Sequence, residues 1–144
     1  MSLISNQLPR CGIEVTLVSQ TDLAQWQAAI KDNTKMLFLE TPSNPLNEAG
    51  DISALAKMAH EAGALLVVDN SVCSPALQRP LSLGADLSVQ SATKAIDGHG
   101  RVMGGIVCGS DTLIDQVFQR ARTAGQSMSP FNAWVLLSGL ETLF

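Results

Sequence analysis

Residues 64–68, Ala-Leu-Leu-Val-Val, are apolar without a break and end on Asp69 and Asn70. A strand with one wet face alternates apolar and polar residues, whereas an unbroken run is how a strand covered on both faces reads. Such a strand needs neighbours on both edges and layers above and below, and the rest of the chain supplies candidates. Residues 12–18 alternate at period two and predict a strand. Residues 35–40 predict a second, which stops at Thr41-Pro42-Ser43-Asn44-Pro45, since proline donates no ladder hydrogen bond. Residues 85–90 and 104–108 predict two more. Between the strands lie amphipathic segments. Thr21-Asp22 opens a helix to about Ile30, with Leu23, Trp26, Ala29 and Ile30 on one face. Asp51 caps a helix through about Ala62, and Gly63 follows as its C-terminal cap. Residues 111–124 predict another helix, and Ser129-Pro130 starts the last with serine at N-cap and proline at N1. Strand and helix in alternation predict an α/β domain, a mostly parallel sheet with helices on both faces.

The 144 residues suit one domain, without repeats or linkers. The last helical pattern breaks off in residues 139–144 with no C-cap, and the first strand has no partner before it. Both ends are therefore expected to be cut: residues 1–10 as a leader or truncated start, 11–144 as part of a domain. The formal net charge is -4 and the basic residues are scattered, which argues against nucleic acid as a partner. No apolar run approaches the roughly 18 residues of a membrane span, and the start lacks the basic region and cleavage site of a secretory signal. Cys11, Cys73 and Cys108 are odd in number, far apart and without a CxxC. That spacing fits neither a disulfide framework nor a metal site, so reduced thiols and a cytoplasmic address are expected.

In open α/β sheets, ligands sit at the carboxyl ends of the strands. Asn44 falls at such an end, as do Asp69 and the run Ser91-Ala92-Thr93-Lys94. If that run is locally extended, Ser91 and Thr93 point to one side, where two hydroxyls can hold phosphate oxygens. Lys94 beside them can reach a bound aldehyde. Asp69 leaves a buried strand and calls for a cationic partner, which a protonated pyridine nitrogen would be. An anion site, an amine and a carboxylate together suit pyridoxal phosphate (PLP). Taken singly, each has a plainer reading: a solvated lysine, a capping aspartate, a turn asparagine. The glycine-rich run 98–105 precedes a strand rather than a helix, which argues against a nucleotide phosphate loop. His60 and His99 read as structural.

The order of these elements is far more specific. Glu40-Thr41-Pro42-Ser43-Asn44-Pro45, Val67-Val68-Asp69-Asn70, and Asp86-Leu87 through Ser91-Ala92-Thr93-Lys94 to Ile96-Asp97-Gly98-His99-Gly100 resemble the Cys/Met-metabolism PLP enzymes. Gly139-Leu140-Glu141-Thr142-Leu143 also looks like that family's helix. The resemblance implies part of the large domain of a fold type I, aspartate-aminotransferase-like PLP enzyme. It implies that Lys94 holds the cofactor's aldehyde covalently and serves as the catalytic base. Asp69 would pair with the pyridine nitrogen, Ser91 and Thr93 would bind the phosphate, and Asn44 would contact the ring or the substrate carboxylate region. The run 98–105, with Arg101, looks most like the O-succinylhomoserine sulfhydrylase branch. The implied reaction is γ-replacement on O-succinyl- or O-acetylhomoserine, giving homocysteine or cystathionine. Open alternatives are elimination, as in cystathionine γ- and β-lyases or methionine γ-lyase, and a catalytically silent folded fragment. The implied partners are an amino-acid substrate and further copies of the chain, in the family a tetramer of catalytic dimers. Ala133, Trp134, Leu136, Leu137, Leu140 and Leu143 on the last helix are expected to lie uncovered and to favour such assembly. Three positions depart from the family pattern: Ala95 replaces an aromatic residue, Gln90 a histidine and Ser138 an arginine.

Overall fold

The computed structural model describes residues 3–143. Four of the five expected strands form one sheet: β1 (Met36–Glu40), β2 (Leu65–Asp69), β3 (Leu87–Ser91) and β4 (Gly105–Gly109). They lie in the order β1-β2-β3-β4. β2 runs parallel to both β1 and β3, while β4 returns antiparallel to β3. The helices are α1 (Leu23–Ala29), α2 (Ile52–Glu61), the short α3 (Ser74–Leu77), α4 (Asp111–Ala124) and α5 (Pro130–Leu140). This is the expected α/β class with a mostly parallel sheet.

Local chemistry sets the helix starts. Asp22 accepts from the amides of Ala24 and Gln25, Asp51 from Ala54, and Ser129 from Asn132. Each such cap contributes about 1 kcal/mol. α2 is the crossover between the parallel strands β1 and β2. It buries Ile52, Leu55, Ala56 and Ala59 against Leu37, Leu39, Leu66 and Val68, with Trp26 and Ile30 packed at the margin. Each large aliphatic side chain buried in this way stabilises the fold by roughly 1.5–3 kcal/mol. On the opposite face of β1, Met36 and Phe38 remain 52% and 42% exposed.

Residues 12–18, expected as a strand, do not join the sheet. Alternation provides the side chains of a half-buried strand, yet a strand also needs a partner for its backbone groups. Ile13 and Leu17 are exposed. The segment is held instead through Glu14, which accepts from Lys31 Nζ at 2.8 Å and Asn33 Nδ2 at 3.0 Å. The Lys31 hydrogen bond, with that from Asn33, lowers the Glu14 pKa.

α5 is docked on the turn that follows β3. Residues Ala92–Ile96 form an irregular helical turn interrupted at Lys94 (φ -93°, ψ -124°). Ala92, Ile96 and Leu136 share a small apolar cluster, so Leu136 is covered, whereas Trp134 and Leu137 are exposed as expected. Beyond the turn, Asp97 is fully buried and accepts from the Arg101 backbone N–H at 2.7 Å and from its guanidinium at 2.8 and 2.9 Å. The guanidinium also donates to the Val135 carbonyl of α5 at 3.2 Å. Gly139 completes the contact. A Cβ there would lie 2.6 Å from the Ile96 carbonyl oxygen and 2.8 Å from the Asp97 Cα.

Two outcomes follow from this clamp. Gly139→Ala drives a methyl into backbone and should cost about 1–3 kcal/mol, seen as a lower urea midpoint. The Arg101 backbone N–H lowers the Asp97 pKa below its ordinary 3.8, burial opposes this, and the guanidinium adds to the lowering. A folded-state pKa below the unfolded one means stability that is complete above 3.8 and lost as pH falls through the depressed value. Urea midpoints measured across the acid range should show that loss. Asp97→Asn should be less stable at neutral pH and have a flatter acid limb.

Candidate functional site

β1, β2 and β3 point the same way, so their carboxyl ends share one edge of the domain. Glu40 is in register with Asp69, and Asp69 with Val89. Laterally paired residues project to the same side of a sheet, so the Glu40 and Asp69 carboxylates lie on one face at its carboxyl edge. Two neighbouring acids make this end of the sheet favourable for a cation.

Asp69 is half-buried and its carboxylate is oriented by Ser71. The backbone N–H of Ser71 donates to Asp69 Oδ1 at 3.0 Å, and its hydroxyl donates to the same oxygen at 2.6 Å. These bonds engage Oδ1, and no hydrogen bond among the described residues engages Oδ2. The Ser71 hydroxyl also accepts from the backbone N–H of Ser91 at 2.7 Å. Ser91 Oγ in turn lies 2.5 Å from Thr93 Oγ1. The two hydroxyls thus meet as expected, although the route differs: Thr93 sits in a helical turn rather than an extended segment. Acid, Ser71 and hydroxyl pair form one connected unit.

Lys94 follows at once and is exposed. Among the described residues, no hydrogen bond or ion pair ties its amine. Ala92 and Ile96, two residues to either side, are buried, so the side chain rises from an anchored turn. The donor set fits PLP at three points: a carboxylate oxygen free for a protonated ring nitrogen, paired hydroxyls for phosphate, and an unengaged amine for the aldehyde.

Asn44 is brought to the same edge, and among the described residues no hydrogen bond joins it to this unit. It is exposed in the turn after β1, where Ser43 closes the loop through its amide on the Glu48 carbonyl and its hydroxyl on the Glu48 N–H. What holds the turn's base is Asn70, fully buried, which donates through Nδ2 to the Gln78 backbone carbonyl and accepts at Oδ1 from Gln78 Nε2. Gln78 Nε2 also donates to the Thr41 carbonyl at 2.9 Å. Gln90 departs from the family's histidine and faces away from Ser91. Its Oε1 and the Ser88 hydroxyl are buried without a partner among the described residues. His60 pairs with Asp86 at 3.0 Å and His99 with the Asp97 carbonyl at 2.6 Å, the structural roles expected. Ser71, Gln78 and the Asp97–Arg101 pair went unassigned from sequence. Only Ser71 carried a local signal, a serine two residues after a strand-ending aspartate, the spacing of a side-chain turn.

A family model described as Cys/Met metabolism PLP-dependent enzyme matches residues 1–144. O-succinylhomoserine sulfhydrylase of Pseudomonas aeruginosa is 56% identical over 143 residues, which cover 99% of this chain and 36% of that protein. L-methionine gamma-lyase of Porphyromonas gingivalis is 42% identical over 145 residues, covering 99% of this chain and 36% of that one. Among solved structures, cystathionine gamma-lyase from Lactobacillus plantarum complexed with L-serine superposes with a TM-score of 0.95 at 38% identity. That superposition covers 99% of this chain and 38% of the other. The chain thus spans about a third of the length of the relatives it matches. No helix among the described residues is long and apolar enough to cross a membrane. The match along the whole chain and the identities above 40% lead to one conclusion: the chain belongs to the Cys/Met-metabolism family of PLP-dependent enzymes.

Proposed function

We propose that the protein carrying this chain is a transsulfuration enzyme that performs γ-replacement on O-succinyl- or O-acetylhomoserine, giving homocysteine or cystathionine. The observation that carries the reading is the hydrogen-bonded unit of Asp69, Ser71, Ser91 and Thr93 immediately before an unengaged lysine. Relatives named O-succinylhomoserine sulfhydrylase are 49–56% identical, while the L-methionine gamma-lyases are at 42%, which favours replacement over elimination.

When bound, PLP supplies an electrophilic aldehyde and a protonated ring that withdraws electrons from the substrate's Cα. Lys94 Nζ would hold the aldehyde and would serve as the base for the substrate's Cα proton. Asp69 Oδ2 accepts from the ring nitrogen and keeps it protonated. Ser91 Oγ and Thr93 Oγ1 would each donate to a phosphate oxygen once their mutual hydrogen bond opens. Asn44, in the turn after β1 at the same edge of the sheet, would contact the ring or the substrate carboxylate region. The exposed Phe131, Trp134 and Leu137 of α5 form apolar surface suited to another subunit, and the working protein is a homo-oligomer at a cytoplasmic address.

Expressed from its complete coding sequence, the protein should show a visible PLP band. Borohydride reduction should leave the pyridoxyl group on the Lys94 peptide; a label on Lys35 or Lys57 would overturn the assignment. Lys94→Ala should remove the band and lower turnover by on the order of 10³-fold or more. Asp69→Asn keeps the shape but not the charge, so it should weaken PLP binding modestly and cut kcat about 100-fold or more. Wild-type turnover in that variant would reduce Asp69 to a structural cap. With O-succinylhomoserine and sulfide, homocysteine is the expected product; 2-oxobutanoate formed regardless of sulfide would turn the reading to elimination.

A further inference from the structure

Where β2 and β3 end, the ladder between them changes hands. The Asn70 N–H still donates to the Val89 carbonyl at 2.8 Å. In a parallel ladder, the Asn70 carbonyl would next accept from the Ser91 N–H, two residues beyond Val89. Here that carbonyl accepts from Ser74 N instead, at 2.9 Å, and the Ser91 N–H goes to the Ser71 hydroxyl at 2.7 Å. The Ser71 side chain has taken the place of a backbone acceptor. The same oxygen donates its own proton to Asp69 Oδ1 at 2.6 Å. One hydroxyl therefore restrains the carboxylate through Oδ1, leaves Oδ2 without a hydrogen bond among the described residues, and ties that carboxylate to the residue whose hydroxyl pairs with Thr93.

We infer that Ser71 is a positioning residue, which sets the orientation of Asp69 and its separation from the Ser91–Thr93 pair so that both ends of one PLP molecule are met at once. The inference rests on the proposed cofactor reading. Asp69 would serve the ring nitrogen and the hydroxyl pair the phosphate. The aromatic ring is rigid and the short phosphate arm holds these two ends within a narrow range of separation, so a fixed link between their protein partners lowers the ordering cost of binding. Threonine can make the same two hydrogen bonds. Valine has threonine's shape without the hydroxyl, and leaves the Ser91 N–H without its acceptor.

The test compares Ser71→Thr with Ser71→Val in the protein expressed from its complete coding sequence. The readouts are PLP dissociation, the visible circular dichroism of the bound cofactor, which reports ring orientation, and the split between kcat and KM. Ser71→Thr should match the wild type. Ser71→Val should release PLP roughly 10-fold more readily, the equivalent of one hydrogen bond. It should also lose much of the visible dichroism, and the loss should appear in kcat more than in KM. In an Asp69→Asn background the dichroism lost on Ser71→Val should shrink, because the carboxylate it orients is gone. Should valine destabilise the apo-protein, Ser71→Ala provides a smaller second hydroxyl-free variant with the same expectation. Unchanged dissociation and dichroism in a folded hydroxyl-free variant would overturn the role of Ser71 alone. A wild-type protein without a visible PLP band would overturn the cofactor reading, and this inference with it.

Discussion

β2 is hydrogen-bonded to a parallel neighbour on each edge, and the candidate site depends on that double pairing. Its register against β1 sets Glu40 beside Asp69, and its register against β3 sets Asp69 level with Val89, two residues before Ser91. Parallel pairing aligns the carboxyl ends, so groups far apart in the chain arrive at one edge. The pairing is secured by burial. Leu66 and Val68 are fully enclosed beneath α2, and a slip of one residue would turn Asp69 into that apolar layer.

The loops at that edge are held by polar knots rather than by apolar packing. Asn70 donates to the Gln78 backbone carbonyl, and Gln78 Nε2 donates to Asn70 Oδ1 and to the Thr41 carbonyl, fixing the base of the Asn44 turn. Asp97 and Arg101 fix the far side of the Lys94 turn and bind it to α5. Asn70 and Asp97 are both completely buried, where an unpaired polar group is costly, so each knot is stable only when complete. Between the knots the lysine side chain stays free. The role proposed for Lys94, to hold an aldehyde and later move a proton, calls for this combination of fixed backbone and free amine.

Most of the regular elements were legible in the sequence because their signals are local. Asp51 and Ser129 cap the helices they announced, and the unbroken run 64–68 became the central strand. The alternating run 12–18 misled because alternation describes side chains and leaves the backbone partner unspecified; among the described residues it has no ladder. Leu136 was expected to lie uncovered with its helix neighbours, yet it is buried against Ala92 and Ile96. Helical periodicity gives the face of a helix and is silent on what lies opposite.

The sequence by itself determined the α/β class, the family, and the residue types at the strand ends, Asn44, Asp69, Ser91, Thr93 and Lys94. The class and the family follow from the order of short runs along the chain, and the residue types from the runs themselves. Only the tertiary structure decided that Ser71 joins Asp69 to Ser91, that Asn44 stands apart from this unit, and that Gly139 and Arg101 clamp the lysine turn. The Ser71–Ser91, Arg101–Val135 and Gly139–Ile96 contacts join residues 20, 34 and 43 positions apart in the chain, and their distances come from strand order, register and helix docking. A hydrogen bond is decided within a few tenths of an ångström, and no pattern of neighbouring residues carries that information.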